Sequence, residues 1–343
     1  MRNKTLIIAE AGVNHNGDFD LAKKLIDVAA LSGADIVKFQ TFKAEKIASM
    51  SAQRANYQVK NLKDNDVNQF NMLKKLEMPY DWHFKLKEYA SIQNIQFLST
   101  PFDEESIDFL NQLDIPFFKV PSGEITNLPY LIKIATTEKP LIISTGMAEI
   151  KEIQDAINVL ELNGVPRENM TILHCNTEYP TPYQDVNLLA MLDIKSQFGV
   201  QVGYSDHTLG IEVPIAAVAL GATVIEKHFT LDRSLPGPDH AASLEPIELN
   251  NMVSAIRNIE QAISGDGKKY PSESETKNKV IARKSLHYKE DFKSGHVISI
   301  EDLISLRPGS GISPMKISSV IGKTLRFDVK KQAIVSFDDF KVL

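Results

Sequence analysis

A single cysteine in 343 residues, Cys175, excludes an intramolecular disulfide and fits a reducing compartment. Long apolar runs are missing too: the longest, residues 213–225, is too short to cross a bilayer and contains Gly221. The first apolar run is short and broken by Glu10, so no secretory signal is expected. Positive charge is in deficit. A net charge of −6 argues against nucleic acid or an anionic membrane as the main partner, since both reward basic surfaces. No P-loop occurs, and Gly309-Ser-Gly311 lacks the strand–turn–helix setting of a dinucleotide fingerprint. The expectation is a soluble, cytoplasmic protein acting on small molecules.

What is present is a regular alternation of strand and helix. Eight β-branched apolar runs recur at residues 5–11, 34–40, 96–100, 117–121, 141–145, 171–176, 200–205 and 223–228. Their continuous apolar character suits strands buried on both faces. Between them lie helical patterns with proper punctuation. Asp18 can cap a helix whose Leu21, Leu25, Val28 and Ala29 share a face, and Gly33 can close it. Eight such alternations predict an α/β fold, a closed (β/α)8 TIM barrel of about 250 residues. A polar insertion at residues 43–80 follows the second strand and could cover the barrel mouth. Near residue 265 the pattern changes. The expected organisation is a barrel over residues 1–266, a polar linker over 267–281, and a small, irregular, mostly β domain over 282–343.

A parallel barrel gathers the carboxyl ends of all its strands on one face. Here those ends supply Glu10, Lys38 with Gln40, Thr100, Lys119 with Ser122 and Glu124, Ser144, Asn176, Ser205 with His207, and Glu226 with His228. Alternate residues of a strand share a side, so His207 and His228 can meet at the mouth of adjacent strands. Two imidazoles with oxygen ligands suit a divalent ion such as Mn2+, Zn2+ or Fe2+. Residues 121–126 and 144–147 each pair hydroxyls with a glycine after a strand, a pattern for an oxyanion, and Lys38 and Lys119 would neutralise it. For His15 a site role and a loop-ordering role stay open. His83, His240, His287 and His296 read as surface or structural, and Cys175 as a packing residue.

These motifs resemble a known family. Ala9-Glu-Ala-Gly-Val-Asn-His-Asn-Gly17, Val37-Lys-Phe-Gln-Thr41, Lys119-Val-Pro-Ser-Gly-Glu124, Ser144-Thr-Gly-Met147, Gly203-Tyr-Ser-Asp-His207, Glu226-Lys-His-Phe229 and Gly237-Pro-Asp-His240, in this order, are similar to the sialic acid synthases. Ala282-Arg-Lys-Ser-Leu286 and Leu306-Arg-Pro-Gly309 resemble that family's C-terminal antifreeze-like (SAF) domain. The resemblance implies condensation of phosphoenolpyruvate with an N-acylated mannose-type sugar and water, with release of phosphate by C–O cleavage. It implies His207 and His228 as ligands of a divalent metal, Mn2+ foremost, with Mg2+ or Co2+ as alternatives. It gives Glu10 and Glu124 catalytic roles, and places phosphoenolpyruvate against Lys38, Thr100, Lys119, Ser122, Ser144, Asn176 and Ser205. At Asn176-Thr177 some family members read Thr-Asn, which leaves that contact open between the two residues. Gln40, Phe102, Tyr179 and Asp239 would line the sugar pocket. Arg307 would reach the site of a second subunit, in a domain-swapped homodimer.

Residues 174–182 look closer to synthases that use N-acetylmannosamine, which makes N-acetylneuraminate the expected product. The alternative acceptor is 2,4-diacetamido-2,4,6-trideoxymannose, giving N,N'-diacetyllegionaminate. Two further readings compete: a barrel that makes a keto-deoxy acid from a phosphorylated sugar, and a non-catalytic carbohydrate- or ice-binding protein.

Overall fold

The computed structural model describes residues 4–62 and 66–341; part of the insertion at 43–80, residues 63–65, thus lies outside the described residues. Two compact units are formed, Met1–Ser264 and Gly265–Leu343. The first contains strands β1 (Leu6–Gly12), β2 (Ile36–Thr41), β3 (Gln96–Pro101), β4 (Phe118–Val120), β5 (Leu141–Ser144), β6 (Met170–Cys175), β7 (Gln201–Asp206) and β8 (Val224–His228). They form one parallel sheet in the order β3-β2-β1-β8-β7-β6-β5-β4. The end strands β3 and β4 lie against each other and bring the ring to near closure. The expected TIM barrel is therefore present, each strand within two residues of its sequence-derived bounds.

Local chemistry accounts for these elements. The helix Phe19–Leu31 begins where Asp18 accepts from the Leu21 amide and is followed by Gly33 at φ +76°. Its fully buried face is Ala22, Leu25, Ile26 and Ala29, with Leu21 and Val28 half-buried at the margin. The apolar stripe is thus centred one residue away from the sequence-derived face, because the barrel covers the side of the helix between Ala22 and Ile26. No helix among the described residues is long and apolar enough to cross a membrane.

Strand register aligns the functional positions in one band. Glu10 stands opposite both Lys38 and His228, Gln40 opposite Thr100, and Ser205 opposite both Cys175 and Glu226. Residues of opposite parity face the helices. Asp206 and Lys227, paired in register, are both fully buried and form an ion pair of 2.5 Å. Lys227 also donates to the Thr208 carbonyl at 2.5 Å, and Asp206 accepts from the Thr208 amide and hydroxyl. This lock sits behind the two strand ends that present His207 and His228.

The second unit has its own apolar cluster, including Leu286, Tyr288, Ile298, Val320, Leu325, Val335 and Phe340. Its β structure is a short antiparallel pair, β9 (Ser285–Tyr288) with β10 (Leu303–Leu306), plus isolated bridges such as Phe292–Val329 and Leu325–Phe340. The polar stretch expected as a linker, 267–281, differs: it contains most of a helix, Glu273–Ala282. Ser272 and Glu275 there exchange side-chain and backbone hydrogen bonds in a capping box, which starts a helix despite the lack of any buried residue in it.

The buried lock yields a test. Lys227→Met leaves Asp206 charged and unpaired, and should cost about 3–5 kcal/mol in urea unfolding. The double change Asp206→Leu with Lys227→Met should cost less than the single one.

Candidate active site

The carboxyl ends of the strands surround a cavity of about 640 Å3. Four charged side chains form a row across its floor. Glu10 Oε2 lies 2.5 Å from Lys38 Nζ, Lys38 Nζ lies 3.5 Å from Glu226 Oε2, and Glu226 Oε1 lies 3.2 Å from Lys119 Nζ. All four are buried. Thr100 accepts from Lys38 at 2.8 Å, Ser205 donates to Glu226 at 2.9 Å, and Gln40 donates to Glu10 at 3.2 Å.

Burial would push both carboxyls up, but the ammonium groups split them. Glu226, between Lys119 and Lys38, is held well below the usual carboxylate range despite its burial. Glu10 stays raised, because burial and the Glu226 charge outweigh Lys38. Burial alone would lower Lys38; the two carboxylates reverse that and keep it an ammonium. The floor therefore holds one firm anion, one carboxyl poised to carry a proton, and a fixed cation beside it.

The hydroxyls form a second group. Thr100, Ser122, Ser144 and Ser205 all line the cavity, and the buried Ser144 hydroxyl has no protein partner. Ser122 accepts from the Gly146 amide at 3.0 Å. A side chain at 146 would collide with Thr177 and Ser122, so glycine is what lets this turn close over the cavity.

The imidazoles occupy one wall. His207 and His228 have ring centroids 5.4 Å apart. Burial lowers His207 to about 4 and His228 well below its ordinary value, so both rings are neutral near pH 7. His207 Nδ1 is bonded to the Asn176 carbonyl at 2.5 Å, which leaves its Nε2 as the free nitrogen. His228 Nδ1 is buried and has no hydrogen-bond partner. Tyr179 stacks on His207 at 4.0 Å and meets His228 edge-on at 5.6 Å. Among the described residues no three His, Cys, Asp or Glu side chains converge as a ready-made metal cage.

Most sequence-derived positions meet here: Glu10, Lys38, Gln40, Thr100, Phe102, Lys119, Ser122, Ser144, Tyr179, Ser205, His207 and His228 all line the cavity. Four do not. The Asn176 side chain turns into its own loop, accepting from the Glu178 amide and the Thr181 hydroxyl, and Thr177 takes its place on the wall. Glu124 is half-buried and tied to Asn127 at 2.6 Å; burial raises its pKa, Asn127 opposing. Asp239 sits behind His228, 4.0 Å from its Nδ1, and is lifted to about 7 by burial and then by Glu10. Arg307 belongs to the second unit, where it is exposed and donates to the Ala282 carbonyl at 2.9 Å. His15 is buried away from the cavity and accepts from the Gly17 amide, a loop-ordering role. Cys175 reaches the cavity wall, but burial pushes its thiol up, so it is no activated nucleophile. Glu226 was visible as a strand-end residue without a role; its parity with His228 already pointed it into the mouth.

A parallel barrel with cations and free hydroxyls at its carboxyl face is an enzyme framework for an anionic substrate. The comparisons narrow that class. The NeuB family model matches residues 25–269, and the SAF domain model matches residues 283–341. The chain is 55% identical to the N,N'-diacetyllegionaminic acid synthase of Campylobacter jejuni, over 97% of this chain and 99% of that one. It is 49% identical to the enzyme of the same name from Legionella pneumophila, over 94% and 91%. A crystal structure of N-acetylneuraminic acid synthetase from Leptospira borgpetersenii, in complex with citrate, superposes with TM-score 0.69 at 36% identity, covering 80% of this chain and 90% of that one. The chain belongs to the NeuB family, the sialic acid synthases.

The buried histidines give the site an acid limit. His15, His83, His207 and His240 are each lowered to about 4 by burial, and His174 and His228 are lowered too. Folded, they stay neutral where the unfolded chain takes up protons, so their contribution is complete above about pH 6.5 and is lost as pH falls toward 4. Glu10, Glu124 and Asp239, each raised chiefly by burial, act in the opposite sense but are fewer. Metal-free protein should lose urea stability steadily between about pH 7 and 4.5; a flat profile would contradict neutral buried imidazoles.

Proposed function

We propose that this enzyme condenses phosphoenolpyruvate with 2,4-diacetamido-2,4,6-trideoxymannose and water to give N,N'-diacetyllegionaminate and phosphate. The observation carrying the acceptor is that relatives at 55% and 49% identity, matched over nearly their whole length, are named for that product. The sequence motifs favoured N-acetylmannosamine instead; residues 174–182 alone do not distinguish the acceptors, and the full-length relatives outweigh them.

Lys38 and Lys119 bind the phosphate and carboxylate of phosphoenolpyruvate, and Thr100, Ser122, Ser144 and Thr177 donate to their oxygens, while Ser205, whose proton goes to Glu226, lines the cavity beside them. Carbon three of phosphoenolpyruvate forms a bond to the sugar aldehyde carbon, and the aldehyde oxygen takes a proton. Water adds at carbon two and gives up a proton. The bond from carbon two to the phosphate oxygen then breaks, its electron pair leaving with phosphate, as the new hydroxyl gives its proton to the departing phosphate and becomes the ketone. Glu10 is the group for these proton transfers, since it lines the cavity with a raised pKa, whereas Glu124 is held by Asn127 outside it.

The two neutral imidazoles fit a divalent metal, with Nε2 of His207 as one donor and the His228 ring on the same cavity wall as the other. Water and substrate oxygens would fill the remaining positions. Bound there, Mn2+ would polarise the aldehyde and orient it. The cytoplasm, and a homodimer exchanging its second unit, complete the reading on family likeness; Arg307 would then contact the partner's sugar.

Phosphate release from phosphoenolpyruvate with Mn2+ tests this proposal. The diacetamido sugar should be the better acceptor, and chelation should abolish turnover; preference for N-acetylmannosamine would overturn the acceptor. Arg307→Ala should raise KM for the sugar about tenfold or more while moving KM for phosphoenolpyruvate far less. Equal effects on both would count against the exchanged dimer.

A further inference from the structure

The insertion after β2 contributes a wall that the strand ends do not. Its helix Asn56–Leu62 lies over the cavity, with Asn56, Tyr57 and Gln58 among the lining residues. Asn61 ties this helix to two barrel loops, donating to the carbonyl of Tyr179 at 3.3 Å and of Pro238 at 2.7 Å. The Tyr57 ring stacks on Tyr179 at 5.0 Å and 21°, and Tyr179 in turn stacks on His207. A ladder of three rings therefore runs from the roof to the imidazole wall. Gln58 is occupied: its Oε1 accepts from the Ala55 amide, and its Nε2 points to the Tyr57 hydroxyl at 3.4 Å.

The cavity is thus divided by chemistry. Its floor holds the four charges and takes an anion, while the lining of its roof helix is uncharged, with a half-buried aromatic ring in it. The two acceptor sugars differ where such a surface can tell them apart. The diacetamido sugar carries an acetamido group and a methyl where N-acetylmannosamine carries a hydroxyl and a hydroxymethyl. An aromatic face gains apolar contact from the first pair and loses hydration of the second.

We propose that Tyr57, held by Asn61 and the Tyr179 ring, determines acceptor specificity by packing against the acetamido and methyl groups of the diacetamido sugar. This rests on the acceptor proposed above and adds a residue outside the strand ends. Tyr57 is a specificity residue and takes no part in proton transfer.

The test is steady-state phosphate release by the full-length enzyme with Mn2+, varying each acceptor and phosphoenolpyruvate separately. In Tyr57→Ala the ratio of kcat/KM for the diacetamido sugar over N-acetylmannosamine should fall about tenfold or more, chiefly through KM. KM for phosphoenolpyruvate should move least. Tyr57→Phe, which keeps the ring, should retain the preference, and Asn61→Ala should lower it in the same direction as Tyr57→Ala. Should the alanine variant unfold, Tyr57→Leu and Asn61→Ala carry the same comparison. An unchanged acceptor ratio, or equal rises in KM for both acceptors and phosphoenolpyruvate, would overturn the specificity role in favour of a general cover. A wild-type enzyme preferring N-acetylmannosamine would instead overturn the acceptor itself, and the role of Tyr57 with it.

Discussion

Four charges buried side by side set the terms for this barrel. An isolated carboxylate or ammonium at such a depth would cost several kcal/mol or shift to its neutral form. In the row Glu10–Lys38–Glu226–Lys119 each charge has an opposite neighbour within 3.5 Å. The arrangement is favourable only as a set, and its members come from β1, β2, β8 and β4. Glu10 and Lys38 pair across β1 and β2, but Glu226 finds Lys119 only when β4 on the far side of the barrel mouth is brought across from β8. The same pairing holds the buried ammonium groups of Lys38 and Lys119 at the cavity floor, and burial strengthens their action on an incoming anion.

Strand parity separates chemistry from support. On β7 and β8, Ser205, Glu226 and His228, with His207 just beyond β7, face the cavity. Asp206 and Lys227 face the helices and clamp the same strand ends together. The histidine rings are aimed partly by this lock and partly by the Asn176 carbonyl on Nδ1 of His207. The Asn176 side chain shows the same economy: it braces the loop whose carbonyl orients the imidazole, and leaves the wall to Thr177.

On the specificity role proposed for Tyr57, acceptor choice lies with a part of the wall that the strand-end motifs do not contain. The motifs report the floor and the imidazoles, which lie at the carboxyl ends of the strands. The roof comes from a polar insertion whose helix Asn56–Leu62 has no buried residue of its own and is held by Asn61 contacts to distant loops. Residues 174–182 contain Tyr179, but Tyr179 is only the middle ring of the ladder. A preference read from that segment misses the ring stacked above it.

The sequence by itself determined the barrel, its eight strands and the cavity-lining residues at the strand ends. Periodicity and parity are local properties, and a parallel barrel converts them directly into a shared face. It also carried the family, because many short motifs occur in order. Only the tertiary structure decided the rest. Glu226 became the centre of the ion row because register set it between two lysines from other strands. Glu10 and Glu124 parted because their surroundings differ, one in the floor and the other tied to Asn127. Tyr57 reached the cavity through a stacking contact with Tyr179, 122 positions further along the chain. Charge state and ring stacking depend on neighbours that are distant in sequence, and those neighbours exist only once the chain has closed on itself.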